Sequence, residues 1–208
     1  MNYLKDPEAI YRKSFAIIRA ETDLSSLPPE IHAIAMRLMH ASGTTDLVRD
    51  LRIDPRLPTA VTSALARGGV ILTDCEMVRA GLITRGLPPN TSIKCTLNDP
   101  QARALGLAMH TTRSAAAVFL WKPYLAGAVV LIGNAPTALF SLLELIDDGA
   151  PKPAAVIAMP VGFVGAAEAK AELVNNPRGL PYATLLGRRG GSSMAAAVLN
   201  AIVAEEAR

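Results

Sequence analysis

Histidine is the side chain best matched to giving and taking a proton near neutral pH. This sequence holds three, at positions 32, 40 and 110. His32 lies in the first turn of a polar-edged helical stretch and His110 in a loop-like run before Thr111-Thr112-Arg113, and both read as surface residues. His40 differs. Arg37-Leu-Met-His40-Ala-Ser-Gly43 puts it in the last turn of a helix that Gly43 ends, where backbone carbonyls attract positive charge. A simple C-terminal cap and a proton-transfer residue both fit that place. Other chemistries find little support: no Gly-x-Ser-x-Gly elbow offers a serine nucleophile, and no pair of histidines has metal-ligand spacing, so no metal site is expected. The run Gly187-Arg-Arg-Gly190-Gly191-Ser192-Ser193 opens a helix, and free N–H groups at such a turn can seat an anion. It lacks both the Lys-Ser/Thr ending of a P-loop and the Gly-x-Gly-x-x-Gly fingerprint. A seat for carboxylates and a purely structural turn both remain open for it.

The elements that must position these residues follow from periodicity and punctuation. Asp6-Pro7-Glu8 reads as a cap, a first-turn proline and a first-turn acid, so a helix is expected from there to about Glu21. Ile10, Ser14, Ile17 and Ile18 fall on its apolar face. Ser14 is then either a small core residue bonded to its own helix or a ligand contact. Ser26-Leu-Pro-Pro-Glu30 starts a second helix, with Ile31, Ile34, Ala35 and Leu38 as its buried stripe. A helix near Pro58–Arg67, a buried strand Val70–Thr73, a helix from Asp74–Val78 onward and a short strand Ile93–Thr96 follow. Helices over Pro100–Met109 and Thr112–Trp121 come next.

Three apolar strands then each run into a glycine-containing turn that opens a helix. Ala128–Ile132 meets Gly133-Asn-Ala-Pro-Thr137, Ala154–Ala158 meets Met159-Pro-Val-Gly-Phe-Val-Gly165, and Ala183–Leu186 meets Gly187–Ser193. Such crossover units build parallel sheets, and ligands bind beyond the carboxyl ends of the strands. Thr73 and Asp74 are candidates on that ground. The expected fold is α/β, a single three-layer domain over residues 1–208 with a mostly parallel central sheet flanked by helices.

Composition narrows the partners. The basic residues, most of them arginine, are dispersed, the net charge is only +3, and no cationic block is interleaved with aromatics, which argues against nucleic acid. Arginine grips carboxylates through two parallel hydrogen bonds, so a polycarboxylate ligand is a reading beside ordinary surface charge. Cys75 and Cys95 stand far apart without CxxC, as reduced thiols of a cytoplasmic protein would. The amino terminus lacks the apolar core of a signal peptide. Tyr124–Leu143 carries no charge and is long enough to cross a bilayer, but Gly133-Asn-Ala-Pro136 breaks it into strand and helix, so no membrane role is expected.

Taken in order, several segments resemble the precorrin-8X methylmutase family of corrin-ring biosynthesis. They are Ile10-Tyr-Arg-Lys-Ser14-Phe-Ala-Ile-Ile-Arg19-Ala-Glu21, Met39-His40-Ala-Ser-Gly43, Asp74-x-Glu-Met-Val78 and Thr112-Arg113-Ser-Ala115. Gly133–Leu139, Met159-Pro-Val-Gly-Phe-Val-Gly-Ala-Ala-Glu168 and Gly187-Arg-Arg-Gly-Gly-Ser192 complete the set, which spans nearly the whole chain. The resemblance implies a cofactor-independent isomerase that moves a methyl group from ring carbon 11 to ring carbon 12 of precorrin-8X, giving hydrogenobyrinate. It implies proton transfer by His40, substrate contact at Ser14 and a peripheral carboxylate at Arg113. It also implies a homodimer with the ligand near the subunit boundary. The substrate is a large, flat, apolar ring edged with acetate and propionate groups. Met36, Met39 and Met77 are candidates for an apolar floor, and Gly190, Gly191 and Ser192 for a carboxylate seat. The wording leans to the cobalt-free substrate, with the cobalt-containing one as the alternative. A carrier that binds a corrinoid without converting it, and an anion-binding α/β protein, are the competing readings.

Overall fold

The computed structural model describes residues 1 and 3–206, the side chains of Glu205 and Glu206 aside. The chain begins with α1 (Pro7–Glu21), a 3-10 turn at Pro29–Ile31, α2 (His32–Ser42), β1 (Leu51–Ile53) and α3 (Leu57–Ala66). It continues through β2 (Ile71–Thr73), α4 (Glu76–Ala80), β3 (Ile93–Cys95), α5 (Pro100–Ala108) and α6 (Arg113–Phe119). Three crossover units follow: β4 (Val129–Ile132) and α7 (Pro136–Asp147), β5 (Ala155–Ala158) and α8 (Ala166–Asn175), β6 (Tyr182–Leu185) and α9 (Ser192–Glu206).

The strands form one sheet in the order β1-β6-β5-β4-β2-β3. Every neighbouring pair is parallel except β1 with β6, where Leu51 faces Leu185 and Ile53 faces Ala183. Alternation along the strands separates two cores. Val129, Leu131, Ala155 and Ile157 face the layer of α2, α3, α4 and α9, while Val130, Ile132, Val156 and Ala158 face α6, α7 and α8. The inner strands β4 and β5 are apolar on both sides because helices cover both. That is the expected three-layer α/β arrangement. No helix among the described residues is long and apolar enough to cross a membrane, and Tyr124–Leu143 divides between β4 and α7 at the turn its glycine and proline mark.

Two details depart from the sequence reading. The edge strand β1 had no signal, since Leu51-Arg52-Ile53 is too short to show a period. On α1 the buried side chains are Phe15 and Ile18, whereas Ile10 and Ile17 stand 45% and 46% exposed. The bulkier Phe15 turns the helix so that the 15/18 edge meets the protein, which rotates the Ile10–Ser14–Ile17 stripe outward. Ser14 is therefore half-buried at the margin of the helix contact, not a core residue.

Candidate active site

Local chemistry sets the two helices that carry Ser14 and His40. The Asp6 carboxylate accepts the Ala9 N–H at 2.9 Å and Pro7 takes the first helical position, which starts α1. Gly43, at φ +68°, closes α2 in the left-handed conformation and donates its N–H to Met39 at 2.8 Å. The two helices pack so that Ser14 Oγ lies 2.8 Å from Nδ1 of His40, across 26 residues of sequence. Phe15 stacks on the imidazole with ring centroids 5.3 Å apart, and Tyr11 flanks it at 5.8 Å. Tyr11 in turn stacks on Phe15 at 4.5 Å and lies under the Arg37 guanidinium. Nε2 of His40 has no hydrogen-bond partner among the described residues, and the side chain is exposed.

Chemically, this pair is suited to proton transfer. A serine hydroxyl both donates and accepts. Ser14 can therefore accept from Nδ1–H of the imidazolium, or donate to Nδ1 of the neutral ring. Either way one edge of the ring is held and Nε2 faces outward with its proton or lone pair. Tyr11, Phe15 and Arg37 also wall a cleft of about 240 Å³ between α1, α2 and α9, together with Arg12, Arg19 and Met36. Its floor is apolar and its margin cationic. The volume is smaller than the ~300–1,000 Å³ of a typical small-molecule site, so it holds only an edge of a large ligand. Composition and motif spacing do not mark Tyr11, Phe15 or the cleft arginines as site residues. Their only signal is the four-residue spacing of two aromatics beside Ser14.

At the carboxyl end of the sheet, Asp74 is 3% exposed. Its carboxylate accepts three amide N–H groups of the β4–α7 turn: Gly133 at 2.9 Å, Asn134 at 3.0 Å and Ala135 at 2.8 Å. Burial raises the pKa of this carboxyl, and the three N–H bonds offset only part of that rise. Both oxygens are engaged inside the protein, so Asp74 braces a turn. Thr73 is fully buried beside it, its hydroxyl donating to the Lys94 carbonyl at 3.4 Å.

The Gly187–Ser193 turn is also tied inward. A Cβ on Gly190 would collide with the carbonyl oxygens of Met159 and Pro160, and Gly191 donates to Met159 at 2.8 Å. Ser192 is buried with its hydroxyl 3.4 Å from Cys75 Sγ. Lys170, fully buried on α8, donates to the Arg189 carbonyl at 2.6 Å, and burial lowers its pKa to about 8. Close packing thus accounts for the glycine at 190, and internal contacts engage the Gly191 N–H and the Ser192 hydroxyl.

The remaining candidates separate. Met39 is buried in the core with its sulfur accepting from Thr22 at 3.5 Å, so it is not floor. Met36 lines the cleft and Met77 stands 73% exposed on α4. Arg113 is exposed at the first position of α6, held at the sheet end by Thr112, whose hydroxyl lies 2.8 Å from that of Thr137. Both cysteines are free thiols, His32 bonds to the Leu27 carbonyl, and no group of three potential metal ligands occurs among the described residues.

Known proteins show which family the sequence and fold belong to. The family model described as precorrin-8X methylmutase matches residues 9–205. A Pseudomonas aeruginosa protein named precorrin-8X methylmutase is 50% identical over 99% of this chain and 99% of its own. One of the same name from a Sinorhizobium species is 51% identical over 97% and 96%. The crystal structure of a precorrin-8X methylmutase from Thermus thermophilus superposes with a TM-score of 0.84 at 35% identity, covering 95% of each chain. Match of sequence, fold and length over the whole chain places this protein, as an isomerase, in the precorrin-8X methylmutase family.

Proposed function

We propose that the chain, acting as one unit over residues 1–208, converts precorrin-8X to hydrogenobyrinate by moving a methyl group from ring carbon 11 to ring carbon 12. The observation that carries this reading is the Ser14–His40 hydrogen bond beside an apolar, arginine-edged cleft in a member of this family. His40 lends a proton from Nε2 to the macrocycle and redistributes its π electrons. The methyl then migrates with its bonding pair, and the proton returns, so substrate and product share one formula. Ser14 holds the ring of His40 in register through both protonation states. Arginines at the margin, with Arg113, pair with peripheral carboxylates. The reaction needs no further cofactor. Both half-identical relatives are named for the cobalt-free substrate, which favours that form over cobalt-precorrin-8. The cleft of one chain is too small to enclose a tetrapyrrole, and a second copy in a homodimer would complete the enclosure. The protein works in the cytoplasm and has no nucleic-acid partner.

The test is anaerobic incubation with precorrin-8X. Wild-type protein should shift the absorption spectrum to that of hydrogenobyrinate, and His40→Ala should slow the shift by about 10²–10⁴-fold while still binding product. Turnover unchanged in that variant would remove His40 from the mechanism. Binding without conversion by the wild type would make the protein a carrier.

A further inference from the structure

The most exposed large apolar side chains outside the amino terminus are not on the helices but at the tip of the β5–α8 turn. Phe163 and Val164 stand 86% and 88% exposed, with Val161 at 43%. Adjacent apolar side chains exposed together mark contact surfaces, unlike single ones scattered over the protein. The base of the turn is nonetheless held firmly. Val161 donates to the Asn134 carbonyl at 3.4 Å, Gly162 donates to the Arg188 carbonyl at 3.2 Å, and Gly191 donates to Met159. Gly162 at φ +148° and Gly165 at φ +80° take conformations that lift the two apolar residues outward. The Arg188 guanidinium sits 5.3 Å from the Phe163 ring centroid. An apolar tip on a braced base, flanked by a cation, thus projects from the carboxyl end of the parallel strands, where open α/β sheets bind ligands.

We infer that this tip is a second substrate contact: Phe163 and Val164 lie against an apolar face of the tetrapyrrole, and Arg188 pairs with one of its peripheral carboxylates. The inference rests on the precorrin-8X reading, and charge complementarity selects the occupant. A flat apolar ring with an anionic rim is the counterpart of an apolar tip with a cationic flank. The internal bonding of the base keeps the tip in place before the ligand arrives, which limits the ordering cost of binding.

Hydrogenobyrinate, the proposed product, serves as the probe. It is titrated by absorption into wild type, Phe163→Ser, Val164→Ser and Arg188→Met, with the sedimentation of each variant measured alongside. Each substitution should weaken binding about tenfold. The Arg188→Met deficit should shrink at high salt, which screens the charge pair. Sedimentation should match the wild type, since none of these side chains is in the core. Unchanged affinity in the variants, with a wild type that binds and turns over, overturns the tip and leaves the function standing. Altered sedimentation in any variant overturns it in favour of a contact between copies. A wild type that neither binds nor converts the tetrapyrrole overturns both readings together.

Discussion

Asp74 and His40 are both polar residues at the end of a regular element, yet their surroundings assign them opposite work. Asp74 is buried, and three turn amides occupy both of its oxygens. His40 is exposed, one ring nitrogen is held by Ser14, and the other is open. A buried polar group whose oxygens are both matched inside the protein stabilises the fold, because breaking the match leaves the turn's donors without partners. One with a spare valence at the surface costs the fold little and remains available to a ligand. Strand-end position alone therefore does not make a site. What decides is how many hydrogen-bonding positions the tertiary packing leaves open.

The comparison can be broken most forcefully at the turn. Asp74→Ala should destabilise the protein by about 3 kcal/mol, since three N–H groups lose their acceptor. Urea unfolding reads this, and a loss under 1 kcal/mol would show that the carboxylate is not the brace. Ser14→Ala is the converse case. Conversion of precorrin-8X should fall about tenfold, close to 1.4 kcal/mol of barrier, while the unfolding midpoint stays near that of the wild type. A large stability loss with normal turnover would reverse the assignment of the two regions.

Lys170 gives the smallest and most specific effect. Burial lowers its pKa in the folded protein to about 8, against 10.5 for the free side chain. Between those values the unfolded chain binds more protons, so stability should rise with pH across that window. The wild type should gain about 1 kcal/mol or more relative to Lys170→Met between pH 7.5 and 9.5, read as the difference in urea midpoints. Parallel pH profiles for the two proteins would mean that the ammonium finds better solvation than its single carbonyl partner suggests.

Much of this was legible in the order of residues. The three strand–turn–helix units lie where their apolar runs and glycines put them, and Gly43 closes α2 beside His40. Both kinds of signal are local: a buried parallel strand must be apolar on both sides, and a helix that ends in the left-handed region favours glycine. Family membership was legible too, because the motifs recur in order along the chain. Arg52 between Leu51 and Ile53 carried no pattern long enough to announce β1, and its place came from pairing with β6.

The remainder belongs to the tertiary structure. Which edge of α1 faces inward depends on how Phe15 packs, and this rotation brings Ser14 to His40 across 26 residues. Asp74 looks available for a ligand when read in sequence, and only the approach of Gly133–Ala135 shows its carboxylate already engaged, just as only the closeness of Met159 and Pro160 shows why position 190 is glycine. The reason is physical. Periodicity and capping act within a few residues, whereas satisfaction of a polar group is settled by whatever the fold brings within about 3 Å of it.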